Sequence, residues 1–147
     1  MKTSKKNDLD FLYVYLISDF HHHQEEPITE QVEKALQGGV RAIQLREKDL
    51  SPKELYAQAL EIKQIIEKYD AKLFINDRAD IAEIAGADGV QLTETSVPAG
   101  EIKDKFPNLI VGVSTHAKEG ALLAEAEGAD FITFSPIYET PSKIHFG

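Results

Sequence analysis

The sequence predicts an α/β fold of the (β/α)-barrel kind, and three observations predict it. Short apolar, β-rich runs alternate with segments of helical periodicity. A Gly-Ala-Asp turn recurs just before two of those runs. Polar residues gather where the runs end, the place where parallel α/β folds carry their chemistry.

The first run, 11–17 (FLYVYLI), is continuously apolar and reads as a strand buried on both faces of a parallel sheet. Pro27 opens a helix with Ile28, Val32, Ala35 and Leu36 on one face, stopped by Gly38-Gly39. A second strand is expected over 40–45. Ser51 then reads as an N-cap, with Pro52 at the first helical position and Glu54 completing a capping box. Leu55, Ala59, Ile62 and Ile66 follow at helical spacing. Further strands are expected over 72–75, 89–92, 109–113 and 131–134, separated by helices over 80–84, 99–106 and 117–127. The result is six strands and five helices in strict alternation.

A faint repeat runs through this pattern. IAGADGVQL at 84–92 aligns with AEGADFITF at 126–134, and LQGGVRAIQL at 36–45 is a looser third copy. Recurrent βα units favour a barrel over a doubly wound sheet, which stays as the alternative. No Gly-x-Gly-x-x-Gly follows the first strand, which counts against a dinucleotide-binding version. A complete TIM (β/α)8 barrel has eight units and about 250 residues. Six units fit into 147 residues, so the expectation is one barrel-type domain over 1–147, truncated at its C-terminus, with 1–10 as a polar N-terminal tail.

Composition excludes several function classes. The chain has 16 Lys+Arg against 25 Asp+Glu, a net charge of −9, which argues against a general nucleic-acid surface. With no cysteine, disulfide scaffolds, thiolate catalysis and cysteine–zinc sites are ruled out. Neither a membrane helix of roughly 20 apolar residues nor a signal-peptide cleavage site is present. The expected setting is the cytoplasm, with small phosphorylated substrates as partners, no nucleic acid and no membrane; self-association is left open.

The strand ends carry Ser18-Asp19, then Gln44, Arg46, Glu47 and Lys48, then Asn76-Asp77-Arg78. Gln91, Thr93 and Glu94 follow, then Ser114-Thr115-His116, then Ser135, Tyr138, Thr140, Ser142 and Lys143. For any one of these, an ordinary polar loop is an equally good explanation. The mix of types is more telling. Arg46, Lys48, Arg78 and Lys143 with the hydroxyls of Thr140 and Ser142 and the amides of Gln44 and Asn76 suit a phosphate or pyrophosphate. Asp77 among those cations can bridge to Mg²⁺. His116 has the rim's only side chain that ordinarily titrates near neutrality and is the natural proton shuttle, unless it merely starts a helix. The triplet His21-His22-His23 reads as a solvated loop, because adjacent side chains diverge where a metal needs converging ligands.

Five segments together carry a more specific signal: GGVRAIQLREKDLS (38–51), LFINDRADIA (73–82), GADGVQL (86–92), VGVSTHAKEGALLAEAEGADFI (111–132) and SPIYETPSK (135–143). In this order they resemble the thiamin phosphate synthase family, which includes TenI, the thiazole tautomerase. The resemblance implies a (β/α)8 barrel that joins hydroxymethylpyrimidine pyrophosphate to a thiazole phosphate and releases pyrophosphate. It implies that Gln44 and Asn76 hold the pyrimidine and that Arg46, Lys48, Ser114 and Lys143 hold the pyrophosphate. By the same likeness Asp77 binds Mg²⁺, and Thr140 and Ser142 stand in the thiazole-phosphate loop.

The chain departs from that pattern at the fourth strand. The family's VHLGQEDLP reads VQLTETSVP here, with Gln91 in place of the histidine and Ser96 in place of the aspartate that is the second magnesium ligand. TenI-like members also lack that aspartate, and in them the STH histidine, here His116, matches the general acid/base. The expected function is therefore a synthase-type transferase. A thiazole tautomerase and a non-catalytic ligand-binding paralogue are the alternatives.

Overall fold

The computed structural model describes residues 9–19 and 26–138. Six strands occur there: β1 (Tyr15–Ile17), β2 (Ala42–Leu45), β3 (Lys72–Asn76), β4 (Gly89–Leu92), β5 (Ile110–Thr115) and β6 (Phe131–Phe134). They alternate with five α-helices: α1 (Ile28–Gln37), α2 (Pro52–Ile66), α3 (Ala79–Ile84), α4 (Ala99–Lys105) and α5 (Lys118–Ala126). The sheet order is the chain order, β1 to β6, and every neighbouring pair is parallel. A doubly wound sheet would reverse direction at a switch point; this one instead curls steadily into a half-barrel.

The helix signals behave as their chemistry requires. Ser51 Oγ accepts from the Glu54 N–H at 3.3 Å while Glu54 Oε2 accepts from the Ser51 N–H at 2.9 Å, a complete capping box ahead of Pro52. The repeat has a physical basis too. Gly39, Gly86 and Gly128 sit at φ of +102°, +66° and +80°, the left-handed turn that ends a helix without a Cβ clash. Two residues after the latter two glycines, Asp88 and Asp130 each grip the strand before their own. Asp88 donates its N–H to the Leu73 carbonyl and accepts the Leu73 N–H on its carboxylate; Asp130 does the same to Val111. Lys63 and Lys72 flank the first carboxylate, and Lys103 flanks the second.

Strand parity separates two cores. Ile43, Leu45, Leu73, Ile75, Val90, Leu92, Val111 and Val113 point outward and are buried under the helices with Val32, Leu36, Ile62, Ile66 and Ile81. The alternate residues point inward. There Tyr15 of β1, Phe74 of β3 and Phe131 of β6 form an edge-to-face triangle with centroids 5.4, 5.6 and 5.9 Å apart. The first and last strands of the sheet thus share a ring contact, which a flat sheet would not allow. Gly89 and Gly112 make the space: a Cβ on Gly89 would lie 2.5 Å from the Phe74 ring, and one on Gly112 would lie 2.4 Å from the Phe131 ring.

The expected first strand is corrected. Residues Asp10–Tyr13 form a 3-10 turn and only Tyr15–Ile17 pair with β2. Tyr13 is 87% exposed and Val14 56%, so the run is not buried on both faces. The turn swings Phe11 inward to stack on Phe74, at 6.2 Å between centroids, and takes that stretch out of the sheet. At the opposite edge Ile132 and Phe134 are likewise partly exposed, beside Leu122 and Leu123 of α5.

Two stability predictions follow from these contacts. Burial alone would raise the Asp88 carboxyl pKa, but the Leu73 N–H and the two lysines outweigh it and hold the pKa below the ordinary value. Its stabilisation is therefore present at neutral pH and fades as pH falls below about 4, through the lowered native value. Asp88→Asn should lose about 1–2 kcal/mol at pH 7, with the gap to wild type closing in acid, read by denaturant titration across pH. Gly112→Ala should lose about 1–3 kcal/mol by overpacking, and Phe131→Leu in the same chain should recover part of the lost melting temperature.

Candidate active site

Because all six strands are parallel and paired in chain order, their C-terminal ends share one side of the sheet. The registers Leu45↔Ile75, Asn76↔Gln91, Leu92↔Val113 and Thr115↔Phe134 bring those ends level. Ser18, Arg46, Asp77, Thr93, His116 and Ser135 follow the six tips in turn. Of the expected site residues, Gln44, Arg46, Lys48, Asn76, Asp77, Ser114 and His116 lie on or just past these ends. Thr140, Ser142 and Lys143 fall outside the described residues.

Above the aromatic triangle the inward positions become polar. The Gln44 amide donates to the Tyr15 hydroxyl at 3.3 Å, which donates to Gln91 Oε1 at 3.2 Å. Gln91 Nε2 donates to Ser114 Oγ at 3.1 Å and to Thr133 Oγ1 at 3.4 Å, and Thr133 donates to Ser114 at 3.3 Å. Five strands thereby contribute to one network. Burial pushes the Tyr15 phenol pKa well above its ordinary value, against a smaller lowering by Gln44, so Tyr15 stays a neutral hydroxyl. Tyr15 and Thr133 were not among the expected rim residues, and Gln91 was expected at the rim without a role in the site. Their signal was parity: each alternates with outward apolar neighbours on its strand.

The cations divide. Among the described residues, the side chains of Arg46, Lys48 and Asn76 have no hydrogen-bond or ion-pair partner, and all three belong to the neighbouring tips of β2 and β3. Arg78, expected among the phosphate-facing cations, is committed elsewhere: its guanidinium makes a two-pronged contact to Asp80 at 2.8 and 2.6 Å. That contact holds the Asp80 carboxyl below its usual range. Glu47 is only 8% exposed, with Ser18 Oγ donating to it at 2.5 Å. Ser18 Oγ also accepts the Arg46 N–H at 2.8 Å, so this pair fixes the backbone from which Arg46 extends.

Asp77 takes a left-handed conformation, φ +60°, which aspartate tolerates better than most residues. Its N–H donates to the Gln91 carbonyl at 2.9 Å. The Ser96 hydroxyl donates to its carboxylate, while Ser96 Oγ accepts the Thr93 N–H at 2.8 Å. Ser96 therefore stands where a second carboxylate would face Asp77. Among the described residues no three His, Asp or Glu side chains converge as a metal site. One carboxylate still suits Mg²⁺ when a substrate's phosphate oxygens supply further ligands, so Asp77 fits that ion in company with an anionic substrate.

His116 is held from two sides. Its N–H donates to Glu94 at 3.0 Å, and its Nδ1 lies 2.5 Å from the Ser135 carbonyl. A carbonyl only accepts, so Nδ1 is the ring nitrogen that donates in this contact. A separate pocket of about 370 Å³ lies outside the strand layer, between the 93–98 segment and α5. Its strand-borne walls, Leu92, Val113 and Thr115, belong to the outward face, away from the polar network.

Known proteins resemble this chain along most of its length. The family described as thiamine monophosphate synthase matches residues 14–145. A relative from Geobacter sulfurreducens is 47% identical over 135 residues, covering 91% of this chain and 63% of its own. The thiamine-phosphate synthase of Pyrococcus abyssi is 40% identical over 132 residues, covering 90% and 62%. The solved thiamine phosphate pyrophosphorylase from Pyrococcus furiosus superposes with a TM-score of 0.79 at 39% identity, covering 86% of this chain and 61% of that one. The chain thus spans about three-fifths of the length of these three proteins. Six parallel strands with their polar tips on one side, matched in both sequence and structure, place the chain in the thiamine monophosphate synthase family.

Proposed function

We propose that this chain carries the pyrimidine-pyrophosphate side of a thiamin phosphate synthase site. The observation that carries the reading is the set of Arg46, Lys48 and Asn76 side chains, without a partner among the described residues, on adjoining tips of an otherwise acidic protein. In the reaction the bond between the pyrimidine methylene carbon and the pyrophosphate oxygen breaks, and the electron pair leaves with pyrophosphate. The thiazole nitrogen then bonds to that carbon. The leaving group is the most highly charged species, so the chain's task is to hold it with preorganised donors. Arg46, Lys48 and Ser114 fill that role, with Lys143 as the fourth member. Gln44 and Asn76 orient the pyrimidine, and Thr140 and Ser142 receive the thiazole phosphate. Asp77 would hold Mg²⁺, which when bound would offset part of the pyrophosphate charge.

The test is direct. With both phosphorylated halves and Mg²⁺ the protein should form thiamin phosphate and pyrophosphate; absence of product sinks the reading. Arg46→Ala should lower kcat/KM by about ten- to a hundredfold, the worth of one hydrogen bond to a charged group. Ser96→Asp should lower the half-saturating Mg²⁺ concentration by about tenfold, by restoring a second carboxylate beside Asp77.

A TenI-type tautomerase is the second reading, favoured by the serine at position 96 and by the fixed ring of His116. A proton shift on a thiazole carboxylate phosphate needs a positioned base, and Nε2 of His116 is the candidate. On this reading thiazole proton exchange proceeds without added metal, and His116→Ala slows it by about 10²–10⁴-fold. Exchange unchanged in that variant would eliminate the tautomerase.

A further inference from the structure

We propose that Gln91 is a positioning residue whose carboxamide sets the direction of the inward hydrogen-bond network and so makes Ser114 an obligate donor to a bound phosphate group. The inference rests on the synthase reading and specifies how that site's serine is prepared for its ligand.

The argument is one of lone pairs and protons. A serine hydroxyl has one proton to give and two lone pairs to receive with. Ser114 Oγ already receives Gln91 Nε2 at 3.1 Å and the Thr133 hydroxyl at 3.3 Å. With both lone pairs engaged, only its proton is left to use, and among the described residues no acceptor takes it. Ser114 lies one residue before the end of β5, at the level where the polar tips begin. An anion arriving there meets a hydroxyl that can only donate.

The direction originates at Gln91. Its side chain is 1% exposed, too deep to serve as an ordinary surface ligand. An amide is asymmetric: Oε1 accepts and Nε2 donates. Oε1 is satisfied by Tyr15, which is in turn satisfied by Gln44. Every bond therefore runs the same way, from the Gln44 amide through Tyr15 to Gln91 and from Gln91 to Ser114. Gly112 leaves the amide its room, since a Cβ there would lie 2.6 Å from Gln91 Oε1. A methionine at position 91 would keep the length but lose both ends of the relay. Ser114 would then be free to turn its proton inward, toward Thr133, and would cease to be a fixed donor.

Inorganic pyrophosphate with Mg²⁺, titrated into the whole protein by calorimetry, tests this. Wild type should bind, and Gln91→Met should bind about tenfold more weakly. Ser114→Ala, a smaller change at a half-buried site, should lose a similar factor. The double variant should be no weaker than the weaker single one, because Gln91 acts through Ser114. A residue that merely supports the fold would instead give losses that multiply. No binding by wild type would overturn the synthase reading itself. Wild-type binding with an unaffected Gln91→Met, an unaffected Ser114→Ala, or multiplicative losses would overturn the positioning role and leave the synthase reading standing.

Discussion

The contact on which the remaining architecture depends is the ring triangle of Tyr15, Phe74 and Phe131. It joins the two outermost strands of the described sheet through the interior and so sets the curl. Without the curl, six parallel strands would still align their ends, but along a line about five strand spacings long. With it, the first residues of β1 and β6 meet, and side chains from five strands reach a common network. The two inward glycines are the complement of this arrangement: Gly89 accommodates Phe74 and Gly112 accommodates Phe131. A packed aromatic layer below and a polar layer above therefore share the same strands, spaced by the two-residue period of the pleat.

Electrostatics then sorts the rim. In a chain of net charge −9, Arg46 and Lys48 make no ion pair among the described residues, at the place where an anion is expected. Other charges settle among themselves: Arg78 with Asp80, Lys103 with Asp130, Lys63 and Lys72 with Asp88. Arg78 follows a strand's end as Arg46 and Lys48 do, but it turns to Asp80 at the head of α3, whereas Arg46 and Lys48 make no ion pair among the described residues.

Much of this was legible in the sequence. The Gly-Ala-Asp repeat announced helix endings and strand starts, because a left-handed glycine and a strand-gripping aspartate are both dictated by residue type. The capping box at Ser51 was readable for the same reason. Alternation of period, together with the motif order, was enough to name the family. Tertiary partners were less visible. Nothing local in FLYVYLI says that Phe11 will abandon the sheet to stack on a ring sixty residues away. The Arg78–Asp80 pairing is decided by a two-residue offset at the head of α3, where a cation on the rim turns to its neighbour. The Gln91 network requires the register of β4 against β5, and Ser114 against Thr133 across β5 and β6, which no window of sequence contains.

The two aspartate grips at the strand starts have a consequence of their own. They fasten each unit to its predecessor at the end of the sheet farthest from the chemistry, through main-chain groups that any residue possesses. A change in the loops at the opposite end, at Ser96 for example, leaves both fastenings untouched. The fastening of the scaffold and the chemistry of the rim are thus set by different residues at opposite ends of the same strands.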